Sequence, residues 1–175
     1  MYSYELRIPK DRIAILIGKK GTIKRQLEKK TNTKIDVDSD EGRVTISSEE
    51  GLNIYSARLV VQAIARGFNP DIARILCDED YCLEVINIKD YSGKSKKKMA
   101  RLKSRVIGTK GKAWKNIEKL THTCISVYGK TVCVIGKIED VPIAKEALEN
   151  LLKGAPHGPV YKWIESKKRR ARKWT

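Results

Sequence analysis

Histidine and glutamine each occur twice and phenylalanine once in this chain of 175 residues. His122 and His157 belong to no H-E-x-x-H pair and have no acidic partner at a fixed spacing, so neither a zinc-protease helix nor histidine-activated nucleophilic chemistry is encoded. His122, at a helix end, reads as a capping residue. The four cysteines, Cys77, Cys82, Cys124 and Cys133, show neither the C-x-x-C spacing of a zinc site nor the density of a disulfide scaffold. Cys124 and Cys133 fall in apolar alternating segments and are expected as small buried hydrophobes, while a disulfide between Cys77 and Cys82 stays open. No apolar run approaches the roughly 20 residues that span a bilayer, and residues 1 to 9 lack a signal-peptide pattern. Gly93-Lys94-Ser95 resembles the end of a phosphate-binding loop, but that motif needs glycine at position 88, which is Ile88. The acidic clusters at 36 to 41 and 78 to 80 read as turns rather than metal cages. The expectation is a cytoplasmic protein with no membrane contact, no catalytic residue, no metal and no cofactor.

Acidic residues are what the second half lacks. The whole chain has 37 basic and 21 acidic side chains, a net charge of +16. Residues 1 to 90 hold 15 of each sign, whereas residues 91 to 175 hold 22 basic and 6 acidic. Within the first half, residues 7 to 34 carry 10 basic against 2 acidic side chains, and 36 to 50 carry 1 against 6. Segregation of this kind is the electrostatic footprint of a polyanion binder.

The chain also repeats itself. At an offset of 90 residues, Ile17-Gly18-Lys19-Lys20-Gly21 matches Ile107-Gly108-Thr109-Lys110-Gly111. The match runs on without a gap through Leu27/Ile117, Glu28/Glu118, Thr31/Thr121, Thr33/Thr123, Ile35/Ile125 and Val37/Val127. In the first copy the periodicities predict a strand over 5–8, helices over 11–17 and 22–30, strands over 34–37 and 43–46, and an amphipathic helix over 50–66. The second copy predicts strands at 81–88, 124–128 and 131–135, and helices at 94–105, 112–120 and 141–152. Both have the order βααββα. The expected division is a first domain over 1–69, a linker helix and acidic turn over 70–80, a second domain over 81–153 and a basic segment over 154–175. In that last segment the Gly/Pro stretch 154–159 breaks the chain ahead of a basic helix or arm over 160–174.

A Gly-x-x-Gly pair between two short helices lets a backbone approach closely and adopt positive φ. The helix that follows presents unpaired N–H groups and its positive end to an anion. With Lys19 and Lys20, or Thr109 and Lys110, supplying side-chain donors, two such loops in basic sequence point to phosphate binding.

These residues resemble the KH domain. The runs Ile8-Pro9, Leu16 to Gly21, Leu27 to Thr31 and Lys34-Ile35 carry the pattern in the first copy, and Val106-Ile107-Gly108 to Ile125 carry it in the second. The fold class implied is α+β, two tandem type I KH domains with a basic helical tail. The pattern departs from the family where Lys24 and Trp114 occupy the aliphatic position after each loop. Ile23 is expected to take over the packing in the first copy, and Trp114 to be a core anchor rather than a stacking surface. On a chain of this size, Arg101 to Gly108, Tyr128 to Val132 and Leu152 to Gly158 resemble the small-subunit ribosome-assembly KH factors of the Krr/Pno/Dim group, in compact archaeal form. That resemblance implies binding near the 3′ end of small-subunit rRNA, beside a Nob-type endonuclease and the rRNA dimethylase, with a translation initiation factor as a further partner. The alternative is a general tandem-KH adaptor in another RNA-processing, decay or translation complex.

KH modules clamp about four nucleotides of single strand. The phosphates are expected on Gly18, Lys19, Lys20 and Gly21 with Lys24 and Arg25 behind them, and on Gly108, Thr109, Lys110 and Gly111 with Lys112 and Lys115. The bases are expected in grooves built from Arg12, Ile13, Leu16, Ile17, Ile35 and Asp36 in the first copy. In the second copy the groove is expected from Lys103, Ser104, Arg105, Val106, Ile107, Ile125 and Ser126.

Overall fold

The structure, a computed structural model, describes residues 1–174. Thr175, the last residue of the expected basic segment, lies outside them. The chain forms two compact units, Met1–Glu79 and Asp80–Thr175.

In the first unit the elements are β1 (Tyr2–Arg7), α1 (Lys10–Ile17), α2 (Thr22–Thr31), β2 (Lys34–Asp38), β3 (Arg43–Ser48) and α3 (Gly51–Ala65). The antiparallel sheet has the order β1-β3-β2, so β3 is central and β2 forms an open edge. β1 begins three residues earlier than its alternation predicts, because Tyr2, Ser3 and Tyr4 pair with Ser48, Ser47 and Ile46. Along β3, Val44 and Ile46 turn to the core, and α3 sends Ile54, Ala57, Val60, Val61 and Ile64 inward. Each fully buried aliphatic of this kind contributes about 1.5–3 kcal/mol. After α3, Asn69 caps a short helix α4 (Pro70–Ala73), its side chain accepting the Asp71 N–H at 2.8 Å, and a tighter turn follows over Arg74–Cys77.

The second unit repeats the plan with β4 (Tyr81–Asn87), α5 (Lys89–Ser92), α6 (Lys96–Ile107), α7 (Lys112–Thr121), β5 (Cys124–Tyr128), β6 (Thr131–Lys137) and α8 (Val141–Leu152), with sheet order β4-β6-β5. Two type I KH arrangements therefore stand in tandem. The turn α5 was not legible in the periodicity. The helix that follows starts at Lys96 rather than 94 because the Ser95 hydroxyl caps it, accepting the Lys98 N–H at 3.1 Å.

A last helix, α9 (His157–Arg172), begins three residues before the expected start, inside the Gly/Pro stretch. Pro159 is in its first turn, where no amide hydrogen is needed. This helix is not a free arm. Val160 and Ile164, one turn apart, are buried in the same core as Leu148, Leu151 and Ile117. Part of its charge is spent internally, since Lys168 pairs with Asp140 and the Lys167 ammonium lies 5.7 Å from the Trp163 ring centre.

The repeated polar residues prove to be joints between the second helix and the edge strand. The Glu28 carboxylate accepts the Ile35 N–H at 2.7 Å, and Glu118 accepts that of Ile125 at 2.7 Å. Thr31 and Thr121 donate back to Leu27 and Ile117 and meet Thr33 and Thr123. Asn32 and His122, at φ 54° and 56°, end the two helices in the left-handed conformation. Burial lifts the Glu118 carboxyl above its ordinary value of 4.5. The folded unit therefore holds a proton where the unfolded chain has released it, and its stability falls as pH rises from 4.5 through the raised value. Glu118→Gln keeps the acceptor and removes the charge, and is expected to flatten that slope. Glu118→Ala strands the Ile125 N–H at a cost of about 1–3 kcal/mol. Thermal melts from acid to neutral pH check both, and equal pH slopes for wild type and Glu118→Gln would refute the assignment.

Candidate nucleic-acid interface

The two glycine loops have the same backbone. Gly18 sits at φ 74°, ψ 175°, and Gly108 at 72°, 175°. Lys20 and Lys110 both lie at φ 55°, ψ 29°, and Gly21 and Gly111 at φ 73° and 74°. A tight turn closes each loop, with Gly21 N–H donating to the Gly18 carbonyl at 3.1 Å and Gly111 to Gly108 at 3.2 Å. The result is that Lys19, Lys20, Thr109 and Lys110 project into solvent directly ahead of the first turns of α2 and α7. Backbone donors, helix ends and ammonium groups converge there on a space suited to phosphate oxygens.

The two glycines of each pair do different work. A Cβ at Gly18 would lie 2.9 Å from the Ile23 nitrogen, and one at Gly108 would lie 2.7 Å from the Ala113 nitrogen. The first glycine lets the helices cross. At Gly21 and Gly111 the nearest atoms to such a Cβ are the Arg25 guanidinium at 3.3 Å and the Trp114 indole nitrogen at 3.4 Å. The second glycine supplies positive φ and leaves the outer surface bare. Ile23 and Ala113 thus fill the packing positions behind the loops, and Trp114 lies partly buried against the core of the second unit.

Beside the loops, Arg25, Lys112 and Lys115 are exposed. Ile17 and Ile107 are half-exposed at the helix ends, while Ile13, Leu16, Ile35, Val106 and Ile125 are buried. These five are buried, so their side chains offer a base little surface. Asp36 is exposed on the edge strand, 3.9 Å from the Lys34 ammonium. Ser126 is half-buried on β5 opposite Cys133. Ser104 is exposed with its hydroxyl on the Ala100 carbonyl, and Lys103 is half-buried.

Three cations expected on RNA are engaged within the fold. Arg12 donates from Nε to the Ile64 carbonyl at 2.7 Å and from Nη2 to that of Phe68 at 2.8 Å, tying α1 to the end of α3. Arg105 does the same for α8, from Nε to Leu151 at 3.1 Å and from Nη2 to Ala155. Each guanidinium thus joins a carbonyl in the last turn of a helix to one in the loop just beyond it. Lys24 donates to the Ile35 carbonyl at 3.0 Å and pairs with Glu28 at 3.3 Å. Its long side chain thereby occupies the position that is aliphatic in the family pattern.

His157, which in the Gly/Pro stretch reads as a turn or partner contact, and Tyr161, which no pattern singles out, are brought by α9 to the edge of the second loop, where His157 Nε2 lies 2.7 Å from the Arg105 carbonyl. An open cavity of about 480 Å³ is lined by Arg101, Ser104, Gly108, Thr109, His157 and Tyr161, among others. No spacing in the sequence could have revealed this, since Tyr161 is 50 residues from the loop. All four cysteines are free thiols. Among the described residues no group of three or more His, Cys, Asp or Glu lies together as a metal site, and no helix is long and apolar enough to cross a membrane.

Comparison with known proteins converges on this geometry. Residues 82–169 match the eukaryotic-type KH domain (KH domain type I), and residues 3–63 match the KH domain family. A KH domain-containing protein of Methanocaldococcus jannaschii is 47% identical over 96% of this chain and 75% of its own. The pre-rRNA-processing protein pno1 of Schizosaccharomyces pombe is 31% identical over 64% of the chain, which spans about half (47%) of that relative's length. A chain in the crystal structure of the a/eIF2alpha-aDim2p-rRNA complex from Pyrococcus horikoshii superposes with a TM-score of 0.88 at 43% identity, over 97% of this chain and 95% of that one.

Proposed function

The chain belongs to the Pno/Dim type of KH ribosome-assembly protein, which binds RNA in rRNA processing, and from that premise we propose that its two units act as two clamps on single-stranded RNA at the 3′ end of small-subunit rRNA. The observation that carries this reading is the duplication of one loop geometry, down to a positive φ on a lysine in each copy. In each clamp the glycine loop holds phosphates and the open edge of β2 or β5 faces the bases. Phosphate contacts position the strand and base contacts select it. Because the N–H of Ile35 is taken by Glu28, the backbone groups free to read bases lie further along the edge, where alternate residues face the same way.

The reading extends to proteins working on the same RNA end. A Nob-type endonuclease and the rRNA dimethylase act there by family relation, and a translation initiation factor is favoured by the similar chain whose complex holds a/eIF2alpha with rRNA. In this scheme the chain is a cytoplasmic binding factor that covers and presents the RNA rather than cutting or modifying it.

Crosslinking in cells followed by sequencing of the bound RNA tests the proposal, run with Gly21→Asp and Gly111→Asp beside wild type. Reads are expected to concentrate at the small-subunit rRNA 3′ end and to fall in both variants. Reads spread over many transcripts would keep the clamps and remove their rRNA target.

A further inference from the structure

Two surface cavities of the second unit share Lys112 and Tyr161. One, about 480 Å³, reaches the glycine loop at Gly108 and Thr109 and includes Arg101 and His157. The other, about 500 Å³, runs along α7 and is lined by Lys112, Lys115, Asn116, Lys119 and Tyr161. No carboxylate lines either cavity. Arg101, Lys112 and Lys119 take part in none of the ion pairs among the described residues, so their charge faces outward. The Tyr161 ring packs against the core on one side and lies between the two cavities on the other. It is positioned by its neighbours, since the His157 ring is 6.3 Å away and is itself hydrogen-bonded to the Arg105 carbonyl.

We propose that α9 lengthens the second clamp into a composite site, in which Tyr161 stacks a base of the RNA segment adjoining the one held at Thr109 and Lys110. This rests on the clamp reading above and assigns the same strand further nucleotides. The chemistry fits a polynucleotide. A flat ring with a π face accepts any base, and cations on both sides of it match successive phosphates. The shared lining also favours a chain over a free nucleotide, because both cavities are open and meet at Tyr161, so a strand can enter by one and leave by the other. A KH loop by itself holds about four nucleotides, and α9 adds the next.

The test uses the full chain and two single-stranded RNAs of the small-subunit rRNA 3′ sequence, one of about four nucleotides and one of about twice that clamp length. Tyr161→Ala is expected to weaken the longer RNA by about 5- to 100-fold and leave the shorter unchanged. Tyr161→Phe, which keeps the ring, is expected to bind both as wild type does. Ultraviolet crosslinking of the longer RNA is expected to mark the peptide containing Tyr161. Should Tyr161→Ala fail to fold, the surface change Lys119→Glu decides instead, with selective loss of the longer RNA as the supporting result. Equal weakening of both RNAs, no weakening of the longer one, or no crosslink on α9 would overturn the proposal while leaving the loops as clamps. If Thr109→Asp with Lys110→Asp also left both affinities intact, the clamp reading itself would fall.

Discussion

Replacing Lys19, Lys20, Thr109 and Lys110 together by aspartate is expected to abolish RNA binding while the protein stays folded. All four side chains are exposed. Lys20 and Lys110 sit at φ 55°, a left-handed conformation that aspartate tolerates better than most residues. The fold should therefore be nearly indifferent to the change. The ligand should not be. A hydrogen bond to a charged group contributes about 1.5–3 kcal/mol, so losing two such contacts corresponds to about 10²- to 10⁴-fold in affinity before any repulsion is counted. If the two loops and their flanks neutralise about six phosphates, the wild-type slope of log affinity against log salt is about −4, and each contact removed flattens it by about 0.7. Titration of a labelled rRNA 3′-end oligonucleotide over a salt series, with a thermal melt of each variant, measures both effects. Unchanged affinity in a folded variant would show that the loops do not hold phosphate.

The largest expected loss of stability is at the first glycine of each pair. Gly108→Ala places a methyl group 2.7 Å from the backbone nitrogen of Ala113 and forces alanine to φ 72°, ψ 175°, a region in effect restricted to glycine. The backbone term alone is about 1–3 kcal/mol. The clash adds to it, because the obstacle is backbone and α6 and α7 must separate to relieve it. Against a typical domain stability of about 5–15 kcal/mol, the sum lowers the melting temperature by many degrees. Gly18→Ala is expected to behave alike against Ile23. Gly111→Ala, whose nearest neighbour is an indole nitrogen at 3.4 Å, carries only the left-handed penalty of about 1–2 kcal/mol and serves as the control. Denaturant unfolding of the three variants ranks them, and equal midpoints for Gly108→Ala and Gly111→Ala would refute the division of labour between the two glycines.

What the amino-acid order determined unaided is local. The two copies, the glycine loops and the alternation of helix and strand were all legible because each depends on neighbours a few residues apart. A periodicity of 3.6 or 2.0 writes a buried face directly into the chain, and a left-handed turn calls for glycine where it occurs. Boundaries that rely on a single capping side chain or on a pairing partner, such as the start of α6 and the first half of β1, were blurred for the same reason.

Tertiary structure decided what the polar side chains do. Arg12 and Arg105 look like any cation ahead of a phosphate loop until the fold brings helix ends to them across 52 and 46 residues. Lys24 looks like a phosphate ligand until β2 offers it the Ile35 carbonyl. The tail reads as a basic helix or arm with no stated partner, and Val160 and Ile164 give one turn of it an apolar stripe, enough to dock α9 on the second unit and carry Tyr161 beside the loop. A long charged side chain can satisfy a carbonyl, an acid or a ligand with nearly equal ease. Its role is set by which of these the packed backbone brings within about 3 Å, and that distance is written nowhere in the order of the residues.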